Sequence, residues 1–466
     1  ETNAAGPQGG CPIPLEPHAC PAQVGSTHDT TEKMSKRLWE LDALRGLMLV
    51  LMTLTHLPTR LTTPTGQPFG YVSAAEGFVL LSAFMAGMVY SRRGLRDGLR
   101  TMRKSLRERA IKVYLCQVAT LVFLFTVFAA LAVRREQPAA TGLLSFYFEH
   151  PVMAWFSSLA LIYGPPLLDI LPIYVLFMAA SPAILSRGLR HGWSAILTAS
   201  AILWFASQFG FGNWLYEVIA QAIDLRVPLS QTGSFSIWAW QFLWIMGLWM
   251  GSTRAQGQTS MFEFPRWSVM AAVVVSVFFL TWRHYYGQAP FGADMVRNLW
   301  FEKWTLGPLR MVNLFALIIV TVEFGPWLMA RLPRLRVLET LGQASLPVFC
   351  AHLVFVLLVL GTQGGDQYAR PWWGDALLLA GCFGSLYAVA WVTLWRDRRR
   401  AAKGLPVRAK PASGATVPVA PVRRTSGSAA RAETGVALPS AVKDAVAGVA
   451  EGTSLPSAAA PGRPAA

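Results

Sequence analysis

Four ionisable residues between positions 41 and 90 could do acid–base chemistry, and each falls in an apolar segment of membrane-spanning length: Asp42, Arg45, His56 and Glu76. A charged side chain at the centre of a bilayer costs about 2.5 kcal/mol or more, so such a residue marks a partner, a route or a reaction. Arg45 and His56 are eleven residues apart, about 16 Å along a helix axis at 1.5 Å per residue. At about 100° per residue they return to within about 20° of one face, and Asp42 and Thr53 share that stripe. One face of one helix is polar from end to end.

If this first helix crosses from inside to outside, the second starts outside, and Glu76 lies at a depth similar to that of His56. A carboxylate there can fix the imidazole tautomer and stabilise its charged form, so that His56 takes a proton from a hydroxyl. Packing readings stand beside these. His56 could be a hydrogen-bonded core residue, Glu76 a polar link to a neighbouring helix, and Arg45 an interfacial anchor. The Glu76 face continues through Leu80, Ala83 and Gly87, and small residues there let another helix approach closely.

Two further clusters carry polar residues into apolar segments. In E-K-W-T-L-G-P-L-R-M-V-N at 302–313, Lys303 lies just outside a span while Arg310 and Asn313 lie within it, three apart on one face. Arg310 needs an anionic partner: Glu76, another carboxylate or a negatively charged substrate. In L-G-Q-A-S-L-P-V-F-C-A-H, Ser345 starts a span and His352 follows two turns later, its role open between site and packing. L-D-I-L-P-I-Y at 168–174 sets Asp169 and Tyr174 near the outer end of another span. No two histidines stand at i, i+3 or i+4, so no metal site is expected, and general-base transfer is favoured over metal-assisted hydrolysis.

Composition sets the surroundings. Of 466 residues, 53% are hydrophobic and 14% charged, against about 25% charged in soluble proteins. This describes a polytopic, all-α membrane protein, and the 18 tryptophans suit interfacial belts. The net charge of +16 sits in short connecting loops and the tail, with no basic stripe interleaved with aromatics, so nucleic-acid binding is not expected. Cys11 and Cys20 lie in a Pro-rich leader and Cys116, Cys350 and Cys382 in apolar segments, which makes no disulfide or metal framework.

Along the chain, residues 1–36 read as a disordered leader, 37–396 as the membrane domain, and 397–466, rich in Ala and Pro, as a disordered tail. No N-terminal signal peptide is apparent. Apolar segments near 42–58, 73–91, 110–133, 167–186, 193–209, 237–251, 267–283, 304–323, 346–362 and 374–395 give a transmembrane bundle of about ten spans. Two aromatic stretches, 143–163 and 211–223, could be interfacial or re-entrant helices or an extra pair of spans. With the N-terminus inside, the Arg- and Lys-rich loops 92–109, 187–192, 252–266 and 331–336 and the tail all fall inside. Both termini are then cytoplasmic by the positive-inside rule.

Together L-D-A-L-R-G followed by His56, A-E-G-F-V-L-L-S-A-F-M-A-G, K-W-T-L-G-P-L-R and L-G-Q-A-S-L-P-V-F-C-A-H resemble the OpgC family over roughly 38–395. That family comprises inner-membrane proteins of Gram-negative bacteria assigned to succinylation of osmoregulated periplasmic glucans. The Arg45-x10-His56 spacing also resembles the motif of the wider membrane acyltransferase-3 class. The resemblance implies His56 as catalytic base with Glu76 as the acid of its block, and Arg45 as a donor-side cation. It also implies cytoplasmic acyl-CoA, by default succinyl-CoA, as donor and a periplasmic glycan as acceptor, with no bound cofactor. Asp42, Arg310, Asn313, His352 and Tyr174 complete the expected substrate- and donor-binding set. Where the usual block has Gly after L-S, this chain has Ala83. A transporter or flippase for a glycan or acyl carrier is the alternative of a different class, and a non-catalytic scaffold using the tail is a third.

Overall fold

The computed structural model describes residues 39–258, 262–368 and 370–403. The leader expected over 1–36, with Cys11 and Cys20, and the tail beyond 403 lie outside the described residues. Within them the chain is all-α. Helix α1 is Trp39–His56, α2 is Ala74–Asp97, and α3, Leu99–Phe123, runs through a π-turn at Leu124–Phe128 into α4, Ala129–Arg135. Then come α5, Ile170–His191, α6, Ser194–Ser207, α7, Phe211–Ala222, and α8, Ile237–Ala255. The last five are α9, Arg266–Tyr286, α10, Pro308–Arg331, α11, Arg336–Gln343, α12, Ser345–Gln363, and α13, Trp372–Ala402. The final helix continues past residue 396, where the membrane domain was expected to end.

Seven helices are long and apolar enough to cross a bilayer, or eight if α6 and α7, bent by 82° to one another, make one span. About ten were expected. The difference has a physical cause. Helices α1 and α8, 18 and 19 residues long, carry Glu40, Asp42 and Arg45, and Gln241 and Arg254, respectively. No residue of α1 is exposed, and in α8 only Ile237 and Arg254, near its two ends, are. Helix α6, at 14 residues, falls short of the about 17–25 residues a span requires. The stretch 143–163 holds only the short helices Ser145–Glu149 and Pro151–Leu159 after Pro138–Leu143, too short to span.

Glycines set the two closest helix crossings. Ala83 and Gly87 of α2 meet Gly247 and Gly251 of α8. A Cβ on Gly251 would stand 2.0 Å from the Phe84 carbonyl oxygen, and one on Gly87 2.3 Å from that of Leu248. The small face read from the sequence therefore admits α8. At the other crossing, Gly46 of α1 faces Gly342 of α11. A Cβ would lie 2.0 Å from the Leu338 oxygen in one direction and 1.8 Å from the Asp42 oxygen in the other. These are the glycines of L-D-A-L-R-G and L-G-Q-A-S, which accounts physically for their place in those blocks. Gly342→Ala is expected to force the helices apart, at an overpacking cost of about 1–3 kcal/mol. A lower thermal midpoint of the purified protein in detergent is the expected result; an unchanged midpoint would show that the crossing yields.

Candidate active site

The site is built where α1 and α12 run side by side in the same direction. At one end Arg45 Nη2 donates to Ser345 Oγ at 2.5 Å. At the other, His56 Nδ1 and His352 Nε2 are 3.2 Å apart, with the rings stacked at 5.4 Å between centroids and 13° between planes. His352 is fully buried, and His56, in the last turn of its helix, is partly exposed. The polar stripe of α1 thus faces a matching stripe on α12. Thr53, between them on α1, donates to the Leu49 carbonyl at 2.8 Å, a local back-bond within the helix.

Glu76 does not serve as the orienting acid expected for His56. It is the third residue of α2, whose cap is Ser73, and the two form a capping box. The Ser73 backbone N–H donates to Glu76 Oε2 at 3.1 Å and the Ser73 hydroxyl donates to the same oxygen. The other oxygen takes the Arg310 guanidinium at 2.5 Å. Arg310, 2% exposed, also donates from Nε to the Phe301 carbonyl at 3.0 Å. A fully buried carboxylate needs full hydrogen bonding and a counter-charge, and Glu76 obtains both here. The S-x-x-E signature of a capping box stood in the sequence at 73–76. His352 takes the place beside His56 that was expected for Glu76.

Asn313, one turn beyond Arg310, is committed to backbone: its Oδ1 accepts the Tyr71 N–H at 2.9 Å. This holds the entry to α2 at Gly70, where φ is +82° and a Cβ would lie 2.5 Å from that oxygen. Arg310 and Asn313 are thus committed to the fold and are not open to substrate through these atoms. Tyr174 sets its ring edge-on to Trp244 at 5.1 Å. Asp42 is buried at the α1–α11 crossing.

At the Arg45 end a cavity of about 500 Å³ is lined by the cations Arg45, Arg93, Arg109, Lys112 and Arg398 and the acids Asp42, Glu108 and Asp397, with Ser345 and Tyr174. Arg45, Arg109, Tyr174 and Ser345 also line a much narrower apolar cleft of about 20 Å³, which continues past Phe78, Ile170 and Phe349. Phe78 and Phe349 stack at 5.8 Å, and Phe349 meets His352 edge-on at 4.8 Å. A basic chamber at one end thus leads through an aromatic constriction toward the imidazole pair.

Two features at the His56 end had little signal in the sequence. The first is a clasp on the chain just after His56. Arg370 donates to the Pro58 carbonyl and pairs with Asp375 at 3.1 Å, and Asp375 accepts the Arg60 N–H at 3.3 Å. Neither residue was singled out, because a contact across more than 300 residues leaves no local pattern. The second is Lys303, in the turn before α10. Burial draws its ammonium below the usual lysine value, against a smaller opposing pull from Glu76. Among the described residues, no cluster of three or more His, Cys, Asp or Glu side chains could hold a metal ion.

Long apolar helices with a buried ion pair and an imidazole pair at their ends define a polytopic membrane protein with polar groups held inside the bundle. A model of the family described as OpgC protein matches residues 37–398. The chain belongs to the OpgC family, and at that general level it is an OpgC-like membrane acyltransferase. No curated protein and no solved structure matches the chain significantly.

Proposed function

We propose that this protein transfers succinyl groups from cytoplasmic succinyl-CoA to hydroxyls of osmoregulated periplasmic glucans across a bacterial inner membrane. The observation that carries the reading is that the basic chamber shares Arg45 and Ser345 with the Phe78–Phe349 cleft, whose Phe349 packs on His352 beside His56. The excess of Arg and Lys in loops on the Arg45 side supports a cytoplasmic chamber and cytoplasmic termini. Its cations suit the phosphates of CoA, which Arg binds through charge-assisted bonds. The apolar cleft suits the uncharged pantetheine arm carrying the thioester.

At the far end, the 3.2 Å contact of His56 Nδ1 with His352 Nε2 leaves His56 Nε2 as the nitrogen that acts as base when Nδ1 carries the proton of that contact. That nitrogen takes the proton of a sugar hydroxyl as the oxygen attacks the thioester carbonyl. The C–S bond then breaks, and the departing thiolate takes up the proton. Parallel α1 and α12 hold both imidazoles, so the base is oriented before substrate arrives.

The test uses full-length protein purified in detergent, labelled succinyl-CoA and glucans from cells lacking the protein. Label appearing on glucan without any membrane gradient is expected. Gradient-dependent movement of glycan or carrier in vesicles, with no transfer in detergent, would instead establish a transporter. Arg45→Ala is expected to raise the KM for succinyl-CoA by about tenfold or more, the value of one charge-assisted contact. A KM unchanged in initial-rate measurements would remove Arg45 from donor binding.

A further inference from the structure

The reading above needs a group that tells a succinyl donor from an uncharged acyl donor, and the obvious cation is unsuitable. Arg310 is neutralised by Glu76 and bonded to the Phe301 carbonyl. Of the other cations at this end, Arg370 is paired with Asp375. Arg283 donates to Gln67 at 3.2 Å and has Tyr71 and Arg310 as its electrostatic neighbours. Arg60 donates to the Arg370 carbonyl at 3.0 Å on the exposed surface.

Lys303 differs from all of these. It is half-buried, and its ammonium lies over the Trp304 ring at 4.6 Å and faces the Phe235 ring at 5.7 Å. Three acids stand within electrostatic range of it, Glu76, Asp169 and Glu302, yet each is held by other donors. Glu76 takes Arg310 and Ser73. Asp169 takes the Ser234 N–H at 3.1 Å. Glu302 takes the N–H groups of residues 303 and 304 at 2.9 and 3.2 Å. No ion pair among the described residues includes Lys303. It is, moreover, the cation among these that lies within electrostatic range of His56. Helices α2, α5, α8 and α10 all begin at this end, so their positive dipole ends add to an anion-favouring field.

Resting on the acyltransferase reading, we propose that Lys303 is the specificity residue that binds the terminal carboxylate of a dicarboxylic acyl group while its thioester carbonyl lies at His56. The aromatic walls hold the ammonium in place and dry the site. A carboxylate arriving there supplies the direct ion pair that none of these acids makes. An uncharged acyl chain of similar length leaves the ammonium half-buried without one.

The test compares succinyl-CoA with butyryl-CoA, of equal chain length and without the distal charge, using the purified full-length protein and glucan acceptor. The wild type is expected to favour succinyl in kcat/KM. Lys303→Met is expected to lower the succinyl-to-butyryl ratio by about 10- to 100-fold, the range for a hydrogen bond to a charged group. Lys303→Arg should keep the ratio within a few-fold of wild type. Equal losses for both donors in Lys303→Met, or an unchanged ratio with only a lower thermal midpoint, would overturn the assignment and make Lys303 an aromatic-anchored structural residue. A wild type that transfers neither acyl group would overturn the acyltransferase reading itself, and this one with it.

Discussion

Replacing His56 by alanine is expected to lower glucan succinylation by about 10²–10⁴-fold, the usual contribution of a positioned general base, while the protein accumulates normally. His56 closes α1 and is partly exposed, so its loss opens no large core cavity. Its 3.2 Å contact to the fully buried His352 makes a second variant informative. His352→Gln keeps a side-chain acceptor near His56 Nδ1 and is expected to lower kcat more than it raises KM, because it acts on the orientation of the base. Mass spectrometry of periplasmic glucans, with immunoblotting of the membranes, reads both outcomes. Full acylation by His56→Ala at normal abundance would falsify the assigned base.

The second large effect is on stability. Glu76→Gln removes the charge opposite Arg310 but keeps the side-chain shape, leaving a guanidinium that is 2% exposed without its partner. Breaking a buried pair from one side costs about 3–5 kcal/mol, comparable to much of a domain's net stability. Glu76→Gln is therefore expected to accumulate poorly and to lose thermal stability sharply in detergent. Removing both charges together, as Glu76→Leu with Arg310→Met, is expected to recover a large part of that loss, since an apolar pair of similar volume is often as stable. Should the single and double variants unfold at the same temperature as wild type, the pair does not hold α2 to α10. The role separates from catalysis in the same samples. A clasp residue moves the thermal midpoint, whereas loss of His56 moves the rate.

The residues that carry polarity into the bundle were legible in the sequence. Asp42, Arg45, His56, Glu76, Arg310, Asn313 and His352 stand out because hydrocarbon admits polar groups only where something satisfies them. Their partners were less legible. The expected Glu76–His56 pair is a Glu76–Arg310 pair and a His56–His352 pair. Equal depth in a membrane does not say which neighbour a side chain turns to. The capping box at Ser73 decides that for Glu76, since an N3 carboxylate bent back to its own cap points along the helix end. The span count erred for a related reason. The apolar segments 42–58 and 237–251 fall in α1 and α8, which carry more polar residues than a lipid-facing helix and expose few of them.

By itself, then, the sequence determined the helical membrane class, the stripe from Arg45 to His56 and the small face of α2. Each of these follows from periodicity and from the cost of polarity in lipid, which are local properties of the chain. Only the tertiary structure decided that α12 lies along α1, that Arg310 closes on Glu76, that Arg370 clasps the turn after His56, and that the Lys303 ammonium lies against the Trp304 and Phe235 rings. These are contacts between segments far apart in the chain. They arise from which surfaces fit and which charges find each other, and no stretch of residues encodes that alone.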